Sequence, residues 1–584
     1  MNLKHLLVQL WLVMTVPLAM VQSAETTHDM EVLRQLVQDA VAAGAQELVV
    51  PPGVYVGGPR EGEGTILVIS GAENLHIRAT GVTMRCTRLA RALSVDDCRR
   101  LKLSGLTIDY DPLPFTQGTI IAVAEDGSSV DVKIHPGYPI KAYSRIDIVD
   151  PVTRFRKDNM PFLWGSQAEL IADDVVRVSQ RQLGSIAEVG DLASMSTGPE
   201  PGMAVHGVGV SGDSITFEDV TIHSAPGFGL IETAGEGNMH LNRVRVVPGP
   251  PPIAGGEARL LSVSWDAIQH KVTRKGPLVE NCEIRDAGDD SWSVQCSDYV
   301  IVGRTERSVY IVSRDSYSFN LPVGTHLRDI HGNKAEIRER VREGEWSDFP
   351  IDAETLDKLT TAQQWTYWRV GKRCAELVLS DVSHFEVGES VITDYRNAGY
   401  IFRNNHVHSS GRVLIKGESG IIEGNHLEGT AGIQIAAEVP EESAFALRDT
   451  VIRNNTLIHT HFNCWGSWMS QSGSLSIIAT ARSADGERGM RSPDVIRNMV
   501  IENNVFEDSN GVAIVCGGVD GLVIRGNQIN GSHQQEPHPF GRDFKVDQSA
   551  AIYLDQCANV QLLDNAITDP GPFMKHEVLD RSRD

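Results

Sequence analysis

The chain has 584 residues and carries 76 acidic against 53 basic side chains, a formal net charge of −23 at pH 7. This excess of negative charge argues against nucleic acid and against anionic membrane surfaces as partners. It also mildly disfavours a polyanionic substrate, although a local basic groove could overrule the total charge. The length allows one large core or several domains.

The N-terminus has the pattern of a secretory signal peptide, which we place at residues 1–23. Lys4 and His5 precede an apolar run from Leu6 to Met20, and small residues follow near Ser23. The run is short for a membrane span, which needs about 20 residues. We therefore expect an exported protein, periplasmic or secreted, with no membrane span after signal removal. An uncleaved anchor is the alternative.

One amphipathic helix is predicted near the start, from Thr27 to Ala43, with Thr27 as a possible N-cap and Gly44 after its end. A short strand with a Pro-Gly turn, from Leu48 to Tyr55, follows it. A capping helix followed by such a strand is typical of the start of a right-handed parallel β-helix.

A repeated pattern of apolar residues around asparagine indicates a solenoid. Copies end in the segments Asn-His-Val, Asn-His-Leu, Asn-Thr-Leu and Asn-Val-Phe, and weaker copies follow. The repeated asparagines are Asn405, Asn425, Asn455, Asn504, Asn527 and Asn565. Asparagine tolerates a left-handed bend between strands, and stacked copies can form a hydrogen-bonded ladder. We therefore predict an all-β right-handed parallel β-helix with one continuous core.

Two segments break the repeat with alternating strands and polar turns, which predicts two small inserted β-barrels. The predicted organisation is a run of β-helix segments with these two insertions between them. The boundaries are 24–116 for the N-terminal coils, 117–205 for the first insertion, 206–296 for the middle coils, 297–385 for the second insertion and 386–584 for the C-terminal coils and tail.

Eight cysteines are scattered through the chain without a CxxC pair. An even number in an exported protein permits disulfides, and Cys86 with Cys98 is the first pair to consider. Several lie in apolar strand patterns, so we expect most of them to be small buried hydrophobic residues.

Three carboxylates are predicted to meet on neighbouring coils. Asp266 lies in Ser-Trp-Asp-Ala-Ile-Gln, and Asp289 and Asp290 lie in Gly-Asp-Asp-Ser-Trp about one coil later. Crowded carboxylates raise one another's pKa, so at least one should hold a proton near neutral pH, with coupled titrations. Such clusters serve acid/base chemistry on glycosidic bonds. Solvated turn aspartates and a calcium site remain the alternatives.

These motifs resemble glycoside hydrolase family 110, exo-acting α-galactosidases built on a parallel β-helix. The carboxylate segments carry the resemblance, together with Gly105-Leu-Thr-Ile-Asp-Tyr-Asp-Pro-Leu-Pro-Phe-Thr-Gln-Gly118, and it extends from about Thr27 to about Asn565. A more distant similarity links the chain to the polygalacturonases. The family pattern carries a glycine after the Asp-Asp pair, where this chain has Ser291. This departure leaves the identity of the sugar substrate undecided.

The resemblance implies an inverting reaction without a covalent intermediate and without a cofactor or metal. Asp289 would be the general acid, and Asp266 and Asp290 would hold and deprotonate the attacking water. Inverting enzymes usually separate their carboxyl groups by ~6.5–9.5 Å and retaining ones by ~5 Å. Adjacent coils lie only ~4.8 Å apart, so distance alone does not decide the stereochemistry here.

Further residues are candidates for binding a carbohydrate substrate, each with a purely structural alternative such as core packing or a surface position. Trp265 and Trp292 flank the acids and could stack on a sugar. The polar candidates are His270, Lys271, Asp394, Arg412, Lys416 and Glu438. Arg412 and Lys416 alternate on one strand, which suggests a shared face and a role as cleft lining or as partners of the carboxylates.

The leading interpretation is an exported inverting exo-glycosidase that releases terminal α-linked galactose, α-1,3-linked or similar, or a related sugar. A polysaccharide lyase is the alternative enzyme, although it needs cations to neutralise a uronate. A β-helix that binds glycans without catalysis is the alternative outside the enzymes. The oligomeric state stays open.

Overall fold

The protein's structure is a computed structural model. It describes residues 26–158, 160, 163, 165–180, 182–196, 206–296, 298–313, 321–329, 332–351, 354, 373–429, 432–436, 447–462, 472–482, 488–490, 496–538 and 544–582. The predicted signal peptide lies outside these residues. Within them, no helix has the length and apolar character needed to cross a membrane.

Two long parallel sheets wind together into a solenoid. The first, here called the site sheet, has twelve strands: Thr65–Ser70, Arg91–Arg99, His206–Asp213, Phe228–Thr233, Ile268–Lys271, Trp292–Gln295, Val413–Ile415, Ile433–Ala436, Leu475–Ile478, Ile514–Gly517, Ala550–Asp555 and His576–Asp580. Each strand pairs in parallel with the strand of the next coil, as Ile268 with Trp292 and Trp292 with Val413.

The second, here called the ladder sheet, has 23 strands. They are Thr27–Asp29, Glu47–Val49, Gly53–Gly57, His76–Cys86, Lys102–Tyr110, Thr216–Glu218, Thr221–Ile222, His240–Asn242, Arg245–Val246, Leu278–Glu280, Glu283–Arg285, Ile401–Arg403, His406–His408, Ile421–Glu423, His426–Glu428, Arg448–Arg453, Thr456–Ile458, Ile496–Glu502, Val505–Glu507, Val519–Arg525, Gln528–Asn530, Ala558–Leu563 and Ala566–Thr568. Its many short strands come in pairs, two to a coil.

The core runs along the inside of the solenoid as one cluster of apolar residues from Met30 to Cys557. Alternate residues of each strand enter it, so the register stacks Ile268, Trp292, Val413 and Ile433 in one column. Each coil buries its apolar side chains against its neighbours, which holds the stack together. The predicted all-β parallel β-helix is confirmed.

The N-terminal helix is shorter than predicted and spans Met30–Ala42. Thr27–Asp29 is instead a strand paired with Val54–Val56, and the helix is capped by Asp29, whose side chain accepts a hydrogen bond from the Glu31 N–H. The predicted Thr27 cap is therefore wrong. Leu33 and Val37 are buried in the solenoid core, so the helix covers the apolar end of the first coil.

The repeated asparagines form the predicted ladder. Each side-chain amide donates to the side-chain oxygen of the next asparagine, over 3.0, 2.8, 2.9, 3.0 and 2.9 Å from Asn405 through Asn565. The left-handed bend falls one residue earlier than predicted, at Asn404, Asn454 and Asn503, with φ of 53°, 54° and 55°. The Asn-Asn pair thus divides two tasks: its first residue makes the turn and its second joins the ladder.

The first insertion is an open six-stranded antiparallel sheet and not the predicted barrel. It is formed by Phe115–Val123, Ser129–Ile134, Arg145–Val149, Gln167–Ala172, Val175–Ser179 and Leu192–Ser196, with a 3-10 turn at Leu183–Ser185. The second is a closed barrel, formed by Asp298–Arg304, Ser308–Ser313, His326–Arg328, Lys334–Glu345, Arg373–Leu379 and Ser390–Thr393, with a 3-10 turn at Trp346–Asp348. Its last strand lies beyond the predicted end at residue 385. A separate hairpin joins Thr480–Arg482 to Arg488–Met490.

The described cysteines are buried free thiols, including Cys86 and Cys98, which are not bonded to each other. Burial raises the pKa of the Cys98 and Cys282 thiols, to about 12 for Cys282, so both stay protonated at neutral pH. They act as small apolar residues, as most were expected to. Cys464 lies outside the described residues.

Candidate active site

Two neighbouring coils of the site sheet bring the three predicted carboxylates together. Because Ile268 pairs with Trp292, the residues two places earlier, Asp266 and Asp290, align with each other. The Ala267 N–H donates to the Asp290 carbonyl over 2.9 Å, which continues the pairing up to the acids. One carboxylate oxygen from each of Asp266, Asp289 and Asp290 lies within 4.8 Å of the others.

Asp266 is buried, with 6% of its surface exposed. Its Oδ2 atom accepts hydrogen bonds from Gln269 Nε2 and Ser293 Oγ, both over 3.1 Å. Burial raises the pKa of Asp266 well above its usual value, and the negative charges of the other two aspartates raise it further. Asp266 is therefore protonated over a wider pH range than an ordinary aspartate.

Asp290 is buried too, but an arginine from the next coil neutralises it. Arg412 Nε donates to Asp290 Oδ1 over 2.7 Å, and Arg412 Nη2 donates to Oδ2 over 3.4 Å. The Nη1 atom of Arg412 donates to Gln434 Oε1 over 2.7 Å, which fixes the guanidinium from the far side. This paired geometry favours the ionised form of Asp290.

Asp289 is the most exposed of the three, since Asp266 and Asp290 are buried and Asp289 is only half-buried. Its N–H donates to the Trp265 carbonyl over 3.1 Å, so its backbone is tied to the preceding coil. The preceding Gly288 leaves no room for a side chain, because a Cβ there would lie 2.2 Å from the Ser264 carbonyl oxygen. The glycine of the Gly-Asp-Asp motif thus permits close contact between coils.

Two buried arginines of the first insertion hold the backbone just before Asp289, and no sequence pattern indicated them. Arg145 and Arg156 both donate to the Gly288 carbonyl. Arg145 also donates to the Ser264 carbonyl over 3.2 Å and Arg156 to the Ala287 carbonyl over 3.3 Å. These contacts depend on how the insertion docks on the solenoid, which no local pattern records.

Asp147 lies between these two arginines, with its oxygens 3.3 Å from Arg145 Nε and 3.3 Å from Arg156 Nε. All three side chains are buried. The Arg156 N–H also donates to Ser410 Oγ over 3.2 Å, which ties the turn before Arg412 to the same group. We call Arg145, Asp147 and Arg156 the arginine clamp.

Two of the predicted sugar-binding residues point into the core instead. Trp292 is fully buried and stacks on Phe402, with ring centroids 4.3 Å apart and planes 10° apart. His270 is fully buried as well, and its Nδ1 atom lies 2.8 Å from an oxygen of the equally buried Glu232. Neither Trp292 nor His270 can contact a sugar, so both predictions are wrong.

Strand alternation explains these two errors. Ile268 and His270 share the inner face of one strand, and Trp292 and Val294 share the inner face of the next. The outward residues between them are Gln269 and Ser293, the two donors to Asp266. Both donors could have been identified from the sequence by following the alternation along these two strands.

Three other predicted binding residues do not belong to the apolar core of the solenoid. Trp265 is half-buried and meets Phe228 edge-on, with centroids 5.3 Å apart. Lys271 alternates with His270, so it lies on the outward side, and it is buried there. Lys416 lies on the same face as Arg412, because both alternate with the inward-facing Val413 and Ile415.

Asp394 binds a barrel residue, since its Oδ2 atom lies 2.9 Å from His326 Nδ1 and accepts from the His326 N–H over 3.0 Å. Glu438 lies outside the described residues. The sugar-binding roles of Trp265, Lys271, Asp394, Lys416 and Glu438 stay predictions.

No family model matches the chain, and no curated protein matches it. Among solved structures it is similar to the catalytic unit of an α-1,3-glucanase of family GH87 from Streptomyces thermodiastaticus strain HF3-3, at 10% identity and a TM-score of 0.37 over 94% of this chain and 64% of that one. A family 28 exopolygalacturonase from Yersinia enterocolitica gives 10% identity and a TM-score of 0.37, over 96% of this chain and 79% of that one.

A mannuronan C-5 epimerase module from Azotobacter vinelandii gives 9% identity and a TM-score of 0.34, over 95% of this chain and 94% of that one. The chain thus spans 64% of the length of the glucanase unit and most of the other two.

Proposed function

We propose that the protein is an exported glycan-acting enzyme, an inverting exo-glycoside hydrolase that releases terminal α-linked galactose or a related sugar. The observation that carries the proposal is the cluster of three aspartates. One aspartate is buried and has a raised pKa, one is paired with an arginine and one is half-exposed, and one carboxylate oxygen of each lies within 4.8 Å of the others. Three carboxylates in three different environments are suited to acid/base work on a glycosidic bond.

The environments suggest a division of labour. The resemblance to family 110 makes Asp289 the general acid, and Asp289, as the most exposed of the three, is placed to reach the leaving oxygen. Asp290, kept ionised by Arg412, would accept a proton from the attacking water. Asp266, which holds a proton more readily than an ordinary aspartate, would share the site's proton with Asp289 and orient the water. The titrations of the three groups belong to the cluster as a whole.

The ion pair of Arg412 and Asp290 also favours this chemistry over calcium binding. A calcium site needs several free carboxylate oxygens. Both oxygens of Asp290 already accept from Arg412, over 2.7 and 3.4 Å, and the guanidinium would repel a cation. The choice of galactose rests on the resemblance to family 110 alone, and export rests on the predicted signal peptide.

The experiment compares wild type with Asp289→Asn on a panel of α-linked galactosides and algal or host glycans, with NMR detection of the released anomer. We expect a sugar of inverted configuration from wild type and a rate about 10²–10⁴ lower for the variant, the range for loss of a general acid. Asp173→Asn, which changes an exposed turn aspartate of the first insertion, is the matched control.

Three outcomes would contradict the proposal. Release of an unsaturated product that absorbs in the ultraviolet would indicate a lyase. Glycan binding that persists in Asp289→Asn, with no sugar ever released by wild type, would indicate a binding protein. A product of retained configuration would exclude direct displacement by water.

A further inference from the structure

A second group of polar side chains lies on two neighbouring coils of the ladder sheet. The strands His406–His408 and His426–Glu428 each carry a ligand residue at both ends and an apolar residue between them. The register pairs His406 with His426 and His408 with Glu428. Val407 and Leu427 are fully buried, so the four polar side chains all lie on the outer face in a two-by-two arrangement.

Three of these side chains already have a geometry close to that of a metal site. One ligand atom from each of His406, His426 and Glu428 lies within 4.8 Å of the others. The two imidazole rings have centroids 5.1 Å apart and planes tilted by 48°. Zinc–nitrogen bonds of ~2.1 Å need ligand atoms ~3.4 Å apart, so the three ligand atoms, which lie within 4.8 Å of one another, would have to move closer together when the ion binds.

His408 occupies the fourth position of this two-by-two arrangement, opposite Glu428. Its Nδ1 atom is buried and, within the described part of the chain, has no hydrogen-bond partner. The ring packs 4.4 Å from Phe155 of the first insertion, which shields it from water.

We propose that His406, His426 and Glu428 bind one divalent transition-metal ion, zinc in particular. Two imidazoles and a carboxylate are ligands that zinc accepts, and a water molecule would complete the coordination as the fourth ligand. Arg285 pairs in register with His408 from the preceding coil, so its positive charge would disfavour a cation on that side and favour the Glu428 side. The ion would cross-link two coils beside Asn405 and Asn425.

This site is separate from the carboxylates of the site sheet and does not depend on the proposed hydrolase activity. The test is calorimetric titration of chelator-treated, tag-free protein with zinc chloride. We expect one equivalent bound in wild type, and at least 50-fold weaker binding in His426→Ala. His576→Ala, which removes an exposed histidine of the last strand, is the matched control and should bind as wild type does.

Asp289→Asn distinguishes this site from the acidic cluster and should leave zinc binding unchanged. A second measurement guards against misfolding: zinc should raise the thermal midpoint of wild type and of His576→Ala, but not of His406→Gln, whose side chain is exposed. Absence of zinc binding in wild type would overturn the proposal. Full binding by His426→Ala, or its loss in Asp289→Asn, would overturn it as well.

Discussion

The asparagine ladder and the carboxylate stack both bury polar side chains in successive coils of one solenoid. In the ladder, Asn455 donates through Nδ2 to Asn504 and accepts through Oδ1 from Asn425, over 2.9 and 2.8 Å. An amide both donates and accepts, so one residue type can repeat along the axis. A carboxylate only accepts when ionised and repels its copy, so Asp266 and Asp290 cannot repeat in this way.

The two stacks also differ in the residue that the following coil adds to each of them. The ladder continues through six described asparagines, whereas the coil after the carboxylates supplies Arg412. The site also takes help from outside the solenoid, since the arginine clamp holds the Gly288 carbonyl. A regular polar stack therefore stabilises the fold by itself, while a stack of like charges needs a counter-charge, burial and an external support.

The largest expected effect comes from removing the counter-charge. Arg412→Met removes the positive charge that pairs with the buried Asp290, which we expect to cost about 3–5 kcal/mol of unfolding free energy at pH 8. The loss should be smaller at pH 5, where the Asp290 carboxyl of the variant can take up a proton. Urea unfolding at both pH values measures this. The double variant Arg412→Met/Asp290→Asn should recover part of the loss; equal stability of single and double variants would refute the argument.

Breaking the ladder should cost somewhat less and leave activity intact. Asn455→Ala removes hydrogen bonds to Asn425, Asn504 and the Ile422 carbonyl in a fully buried position, which we expect to cost about 3 kcal/mol. Asn565→Ala, at the half-exposed end of the ladder, is the control and should cost about 1 kcal/mol. Activity per folded molecule should not change, and a fall in it would show that the two stacks are coupled.

Removing one arginine of the clamp should slow the reaction, because the clamp holds the backbone just before Asp289. Arg156→Met removes a donor to Gly288 and a positive charge near Asp289, so we expect kcat to fall about 10–100-fold with little change in KM. The pH profile of kcat should move to higher pH, because a group that favours ionised carboxylates is lost. Steady-state kinetics across pH measure both effects.

Arg177→Met, which removes a more exposed arginine paired with Asp131 in the same insertion, is the control for the clamp and should leave kinetics unchanged. If the pH profile of kcat were unchanged in Arg156→Met, the clamp would have only a structural role.

The smallest effect concerns Asp266, whose pKa in the folded protein is raised by burial and by Asp290 and Asp289. A raised carboxyl pKa means that wild type loses stability as the pH rises from ~4 through that pKa. Asp266→Asn lacks this loss, so its thermal midpoint should match wild type near pH 4 and exceed it by about 2 °C near pH 8.

Asp286→Asn is a comparison variant, because burial raises the pKa of Asp286 to about 7 and this carboxyl should also cost stability as the pH rises from ~4. At low pH, the difference in thermal midpoint between wild type and Asp266→Asn should be the same when both proteins also carry Asp286→Asn. A midpoint of Asp266→Asn below that of wild type at pH 8 would contradict the raised pKa.

The fold could be predicted because asparagine recurs at one position of a repeated apolar pattern. These spaced asparagines indicated coils, a ladder and a continuous core. The meeting of Asp266 with Asp290 followed from the same coil length. The clamp could not be predicted, because Arg145 and Arg156 are more than a hundred residues from Gly288 and reach it through docking of a separate sheet. Trp292 and His270 were predicted to bind a sugar from their residue types, whereas strand alternation turns both of them inward.

The ladder has a consequence for how the loops of this protein can change. Asn405 and Asn425 are separated by 20 residues, Asn425 and Asn455 by 30, and Asn455 and Asn504 by 49, yet the amide hydrogen bonds that join them measure 3.0, 2.8 and 2.9 Å. The axial rise is thus independent of the length of chain between rungs. Loops could be shortened, lengthened or exchanged to reshape the surface around the carboxylates, while the pitch of the scaffold stays constant.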